Sequence, residues 1–130
     1  MRLLLIPIAA LTLFGAAAPA SEKKDPLRVE LGDRVPGKTV DCVDKSFVDG
    51  PQIVDQRTIL YRESGSRIWR NDLPDACPGM RPMDTIVIEI YGSQICEKDR
   101  FRTVSPGSRI PGAFCRLGKF TAYDKPKKAK

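Results

Sequence analysis

The sequence predicts an all-β fold with little helix: a small antiparallel β-sandwich or barrel of five to six strands with two disulfides. Three observations lead to this prediction. Short segments rich in β-branched and aromatic residues are separated by glycine and proline turns. No segment places apolar residues at the 3.6-residue spacing of an amphipathic helix. The chain also holds four cysteines, an even number that permits two disulfides.

The first twenty residues have the layout of a cleaved export signal. Arg2 gives a positive start, residues 3–14 form an apolar stretch, and Ala18-Pro19-Ala20 is a small-residue cleavage site. The stretch is too short to span a bilayer comfortably, which takes about 20 residues. We therefore expect a signal peptide over 1–20, no transmembrane segment after its cleavage, and a periplasmic or secreted protein in which thiols pair.

Residues 21–38 are charged and broken by prolines and glycines, which predicts an extended N-terminal arm. A disulfide-stapled β domain is predicted over 39–124. Its best local signal is a hairpin over 59–70. Further strands are predicted over 52–58 (continuous with the hairpin), 84–91, 101–104 and 113–122, with short helical turns at 73–76 and 93–97.

Charge distinguishes two registers of the hairpin. A two-residue loop would place Arg62 opposite Arg67, and like charges in that position cost stability. A three-residue loop places Glu63 opposite Arg67 and Tyr61 opposite Trp69, which is worth about 1 kcal/mol in all. We expect the three-residue loop.

The net charge of +6 belongs mainly to the end of the chain. The last six residues contain four lysines: Lys125, Lys127, Lys128 and Lys130. The body over 21–124 is nearly neutral, and 125–130 is predicted to be a basic disordered tail. Near an anionic surface these lysines would give a weak, salt-sensitive attraction.

The usual catalytic and ligand-binding motifs are missing from the sequence. The chain has no histidine, and its cysteines are too far apart for a typical structural zinc site. No serine-hydrolase motif and no glycine-rich phosphate loop occurs. We expect no metal, no cofactor and no nucleic-acid partner. Asp72, Asp75 and Asp84 flank Cys77 and could act on glycosidic bonds, but aspartates are also common in turns.

The hairpin carries a candidate binding surface, formed by Tyr61, Arg62, Arg67, Trp69 and Arg70. Arginines beside aromatic rings bind sugars, phosphates or partner proteins. The same residues also fit a solvated strand face whose charges are neutralised by acidic neighbours. Trp69 fits the core as well as it fits a contact surface.

Five stretches form a recognisable combination: Asp55–Arg62, Trp69–Leu73, Cys77–Met80, Gln94–Cys96 and Cys115–Phe120. Together they resemble an uncharacterised family of small exported proteins from Gram-negative bacteria, a domain of unknown function. The resemblance covers about 36–121. It implies export and a compact domain, and it implies no mechanism.

The resemblance also bears on the disulfides, for which four cysteines leave three connectivities open. Some relatives keep counterparts of Cys77 and Cys115 and lack the other two, which implies bridges Cys77–Cys115 and Cys42–Cys96. Each would stabilise the domain by about 4 kcal/mol in the chain-entropy model. The alternative nests Cys77–Cys96 inside Cys42–Cys115.

These observations favour a non-enzymatic binding or interaction module whose partner is an envelope protein or an anionic polymer. Two alternatives remain. A small stapled β body can present a loop to an active site, so the chain could inhibit an envelope-directed hydrolase. It could also be a small periplasmic enzyme that uses acidic residues.

Overall fold

The computed structural model describes Gly15, Ala18 and residues 23–128. The predicted signal peptide, apart from Gly15 and Ala18, therefore lies outside the described residues, as do Ala129 and Lys130. The described part is mostly strand with one short helix and two disulfides, which confirms the all-β prediction. The helix in the described part is not long and apolar enough to cross a membrane.

The described strands are shorter and more numerous than the five to six predicted. In chain order the elements are α1 (Pro26–Leu31), β1 (Val35–Val40), β2 (Cys42–Asp44), β3 (Asp49–Ile53), β4 (Thr58–Arg62), β5 (Arg67–Asp72), β6 (Thr85–Ile88), β7 (Gln94–Cys96), β8 (Arg100–Val104), β9 (Cys115–Arg116) and β10 (Phe120–Asp124). They form three antiparallel sheets with the orders β1-β10-β5-β4-β3, β2-β7 and β6-β8-β9.

The segment predicted as an arm contains a helix and a strand in its described part. The Asp25 carboxylate accepts the N–H of Leu27 at 3.0 Å and caps α1, which begins at Pro26. Gly32 ends the helix with φ 60°, a conformation that favours glycine. Because β1 then pairs with β10, the five-stranded sheet begins before residue 39.

The β4–β5 hairpin has the predicted register. Tyr61 lies opposite Trp69, and the Glu63 N–H donates to the Arg67 carbonyl at 3.2 Å across the three-residue loop. The Glu63 and Arg67 side chains approach within 4.0 Å. The charge argument that selected this loop therefore holds in the structure.

The continuous strand predicted over 52–58 is wrong. β3 stops at Ile53, the chain turns, and β4 runs back antiparallel to β3 from Thr58. The Asp55 carboxylate accepts the backbone N–H of Arg57 at 2.8 Å. This is the local hydrogen bond by which aspartate competes with extended structure and reverses a chain.

The strand predicted over 113–122 is also divided, into β9 and β10, which belong to different sheets. The break lies at Gly118, where a Cβ atom would overlap the backbone carbonyl of Asp72. Phe114, predicted inside that strand, precedes β9 and is exposed. The helical turn predicted at 93–97 is wrong too, because Gln94–Cys96 form β7.

Two buried clusters lie on opposite faces of the five-stranded sheet. The larger cluster includes Tyr61, Trp69 and Phe120 and continues to Phe101 of β8. The smaller one joins Leu60 and Ile68 to Leu31 of α1, with other members. Strand alternation explains the division, since neighbouring residues of a strand point to opposite faces. Helix α1 and the β6-β8-β9 sheet therefore cover opposite faces.

The disulfides are Cys42–Cys96 and Cys77–Cys115, as the family resemblance implied. Cys42 lies directly opposite Cys96 in the β2–β7 pair. The other bridge ties the loop before β6 to β9, and both of its cysteines are buried. This bridge fixes Cys115, which is the first residue of β9 and directly follows Phe114 in the chain.

Candidate binding surface

The five hairpin residues predicted as a binding surface do not form one surface. Tyr61 and Trp69 are 2% and 5% exposed and belong to the larger buried cluster. Arg67 shares their face of the sheet, whereas Arg62 and Arg70 point to the opposite face, where α1 lies. Burial also raises the pKa of the Tyr61 phenol further above its ordinary value, so the phenol stays protonated at neutral pH.

Each hairpin arginine in this set has an acidic partner. The ion pairs are Arg62–Glu30 at 2.6 Å, Arg67–Asp124 at 2.6 Å and Arg70–Asp72 at 2.9 Å. The hydrogen bond from Arg67 lowers the pKa of the Asp124 carboxyl. These contacts agree with the interpretation in which acidic neighbours neutralise the hairpin.

Trp69 closes one end of the core. Its indole N–H donates to a Glu63 carboxylate oxygen at 2.5 Å. The Arg67 guanidinium lies 5.3 Å from the ring centroid and the Lys38 ammonium 5.8 Å from it. A hollow of about 190 Å³ lies beside the ring. The charged groups of Glu63, Arg67 and Lys38 around the indole leave little of the ring accessible to a ligand.

An exposed arginine–aromatic surface does occur, on the three-stranded sheet. We call it the outer face and define it by Val87, Arg100, Arg102, Phe114 and Arg116. In β8 the side chains of Phe101 and Thr103 are buried, so Arg100 and Arg102 point outward. Arg116 of β9 lies opposite Arg100, which adds a third arginine to this face.

Phe114 is at the centre of the outer face. Its side chain is 52% exposed, and the guanidinium carbons of Arg102 and Arg100 lie 4.6 and 4.9 Å from its ring centroid. At these distances a cation is attracted to the ring's electron-rich face. These contacts hold both arginines against the ring, with Arg100 exposed and Arg102 half-buried.

The outer face keeps uncompensated positive charge. Arg100 forms an ion pair with Glu89 at 2.8 Å. Arg102 instead donates to the carbonyls of Gly112 at 2.8 Å and Pro111 at 3.4 Å, which orients the guanidinium and leaves its charge in place. Among residues 23–128, neither Arg102 nor Arg116 forms an ion pair.

Two hollows flank the Phe114 ring. One, of about 230 Å³, is lined by Val87, Glu89, Arg102 and Pro111. The other, of about 220 Å³, is lined by Pro74, Asp75, Ala76, Pro78, Cys115 and Arg116. Each is smaller than the roughly 300–1,000 Å³ of typical small-molecule pockets. Their size suits single side chains of a larger partner.

A larger hollow lies elsewhere and is wide open. It measures about 640 Å³ and includes Asp55, Arg57, Arg70 and Asp72 in its lining. Its charged groups are engaged locally: Arg70 pairs with Asp72, and Arg57 donates to the Pro74 carbonyl at 3.0 Å. An open hollow whose charges are already engaged gives no preorganised ligand site.

The three aspartates around Cys77 do not share a hollow. Asp72 lines the large one and Asp75 lines the one beside Phe114. The Asp84 side chain is buried and accepts the N–H of Arg81 at 3.0 Å. Asp72, Asp75 and Asp84 therefore do not face one another across a single hollow. Within the described ranges, no group of three or more histidine, cysteine or acidic side chains is placed to hold a metal ion.

The described part of the lysine tail begins with a backbone contact. The Lys125 N–H donates to the Ser66 carbonyl of the hairpin loop at 3.0 Å. Lys127 and Lys128 are exposed without regular structure, and Lys130 lies outside the described residues. The tail therefore starts at the hairpin end of the five-stranded sheet.

Sequence reasoning missed the outer face for one reason. The sequence predicts a strand over 101–104, but it also places Phe114 inside a single strand over 113–122 and so does not bring Phe114 beside the arginines. Once that strand is divided, Phe114 becomes an exposed neighbour of the arginines.

Comparisons with models of known protein families, with curated proteins and with solved structures found no match.

Proposed function

We propose that this chain is an exported, non-enzymatic binding module, periplasmic or secreted, whose outer face binds an acidic segment of a partner protein. The observation that carries the proposal is the Phe114 ring. It is half exposed beside two guanidiniums, and that of Arg102 has its charge uncompensated. The predicted export signal, the two disulfides and the resemblance to small exported proteins support the location.

The chemistry of the outer face favours carboxylates presented by a protein. A guanidinium binds a carboxylate through two parallel hydrogen bonds, a geometry that lysine lacks. Arginine and aromatic side chains are also the residues enriched at the centres of protein interfaces. The two side-chain-sized hollows beside Phe114 agree with a polypeptide partner better than with a small cofactor.

A titration of the oxidised chain tests this proposal. The probe is a synthetic peptide with blocked termini that alternates glutamate and valine, and the comparison peptide alternates lysine and valine. We expect the acidic peptide to bind at least about tenfold more tightly, with an affinity that falls as salt screens the charges. A form ending at Asp124 should bind equally, because the tail starts away from the outer face.

Three results would contradict the proposal: equal affinity for the two peptides, no binding of the acidic peptide, or loss of binding with the tail. The last would indicate an electrostatic adapter in which Lys125–Lys130 hold an anionic polymer. Polyphosphate serves as the matched anionic polymer. If it binds more tightly than the peptide and depends on the tail, the polymer is the ligand.

A further inference from the structure

The three-stranded sheet has an unpaired edge at β6. Among residues 23–128, the order β6-β8-β9 leaves one side of β6 without a neighbouring strand. The Glu89 N–H donates to the Arg100 carbonyl at 3.0 Å. Because the direction of the backbone groups alternates along a strand, Val87 and Thr85 also point theirs toward β8. The backbone groups of Ile86 and Ile88 therefore point away from β8, to the free edge.

The edges of the five-stranded sheet are protected and the β6 edge is not. β1 contains Pro36 and a register shift after it, and β3 contains Pro51 within a register shift. Proline and bulges are devices by which proteins prevent unwanted strand pairing. β6 consists of Thr85-Ile86-Val87-Ile88, without proline or charge, and its register with β8 is continuous.

The free edge is continuous with the outer face. Val87 of β6 is 54% exposed and lies opposite Arg102. It also lines the hollow beside Phe114. A strand added next to β6 would lie two strand spacings, about 10 Å, from β8. A glutamate on its outer side could reach Arg102 across Val87, while alternate side chains would cover the half-buried Ile86 and Ile88.

We propose that the acidic segment binds in extended form as an additional strand on β6, with main-chain hydrogen bonds to Ile86 and Ile88. This inference rests on the proposed function and adds the mode of binding. Main-chain pairing supplies affinity in such complexes, and alternate side chains supply specificity. The expected segment alternates acidic residues, directed to the arginines, with apolar ones. A second copy of this chain fits less well, since it would bring another arginine face to the same side of the sheet.

Backbone methylation of the peptide tests the proposal without changing the protein. Two isomers of the glutamate–valine peptide are compared, one methylated on every glutamate amide and the other on every valine amide. Only one set of amides faces β6 in an added strand. One isomer should therefore lose at least about tenfold in affinity, because its hydrogen bonds to the edge are removed, while the other retains binding.

Equal affinity of the two isomers would overturn strand addition, even if the unmethylated peptide binds and depends on the arginines. In that case the proposed function survives and its mode is wrong. Failure of the unmethylated peptide to bind overturns both. A second measurement is amide hydrogen exchange, which should slow at Ile86 and Ile88 on binding. Slow exchange at these amides in a dimer of the free chain would identify a second copy as the occupant instead.

Discussion

Asn71 and Gly118 are joined by two hydrogen bonds between a side chain and a backbone. The Asn71 amide nitrogen donates to the Gly118 carbonyl at 2.8 Å, and the Gly118 N–H donates to the Asn71 amide oxygen at 2.9 Å. Asn71 is fully buried, so this pairing satisfies polar groups that water does not reach. It attaches β5 to the turn between β9 and β10, and so helps to position β9, which carries Arg116 of the outer face.

Replacing Asn71 by alanine should destabilise the protein by about 2–3 kcal/mol, because the Gly118 backbone groups are left without partners. The free energy of unfolding in urea, measured on the oxidised chain, tests this. Gln94→Ala, at an exposed strand position, is the control and should change stability little. A similarly small change in the free energy of unfolding of both variants would show that the Asn71 hydrogen bonds do not stabilise the fold.

Features that depend on contacts between residues close in sequence were predicted, and features that depend on contacts between distant segments were missed. The β4–β5 register depends on neighbours within the hairpin, so the charges of Glu63 and Arg67 were sufficient. The break at Gly118 depends on its approach to the Asp72 carbonyl, a contact between distant segments that no local pattern contains. Phe114 was misplaced for that reason, and the centre of the candidate site was lost with it.

The two disulfides should differ in their resistance to reduction. Cys77 and Cys115 are buried, whereas Cys42 and Cys96 are half-buried, and thiol–disulfide exchange requires access of the attacking thiolate. A mild reductant should open Cys42–Cys96 first. Alkylation followed by peptide mapping identifies the bridge. If Cys77–Cys115 opens first, or both open together, local burial does not control reduction.

Trp69 is the chain's single tryptophan, so its fluorescence reports directly on the core. Because the indole is nearly buried, we expect blue-shifted emission and weak quenching by iodide in the native state. Both should change together on unfolding, as in a cooperative single-domain transition. Emission typical of a solvent-exposed indole in the native protein would contradict the placement of Trp69 at the end of the core.

The Arg67–Asp124 ion pair should make stability depend on acid pH. Arg67 lowers the pKa of Asp124 below its ordinary value of 3.8, so the folded state favours the ionised carboxylate. This stabilisation is present above pH 3.8 and is lost as pH falls toward the lowered folded value.

Both side chains are partly exposed, so solvent screening limits the effect to less than about 1 kcal/mol. The measurement is the unfolding free energy of the wild type minus that of Asp124→Asn across acid pH. The difference should shrink as pH falls through this window. A constant difference would mean that the carboxylate is not stabilised by the fold.

The measurement that tests the central claim most directly is the affinity of the glutamate–valine peptide for the Arg102→Glu variant. Arg102 lies opposite Val87 of β6, beside the edge on which the segment is proposed to bind. Its side-chain hydrogen bonds go to the Gly112 and Pro111 carbonyls, so urea unfolding first checks that the variant folds. Arg28→Glu, an equal charge change on α1 at the opposite face of the five-stranded sheet, is the matched control. If the outer face is the binding surface, Arg102→Glu weakens binding by about tenfold and Arg28→Glu has much less effect. Equal losses in the two variants would show that the peptide responds to net charge alone, and the outer face would not be the binding site.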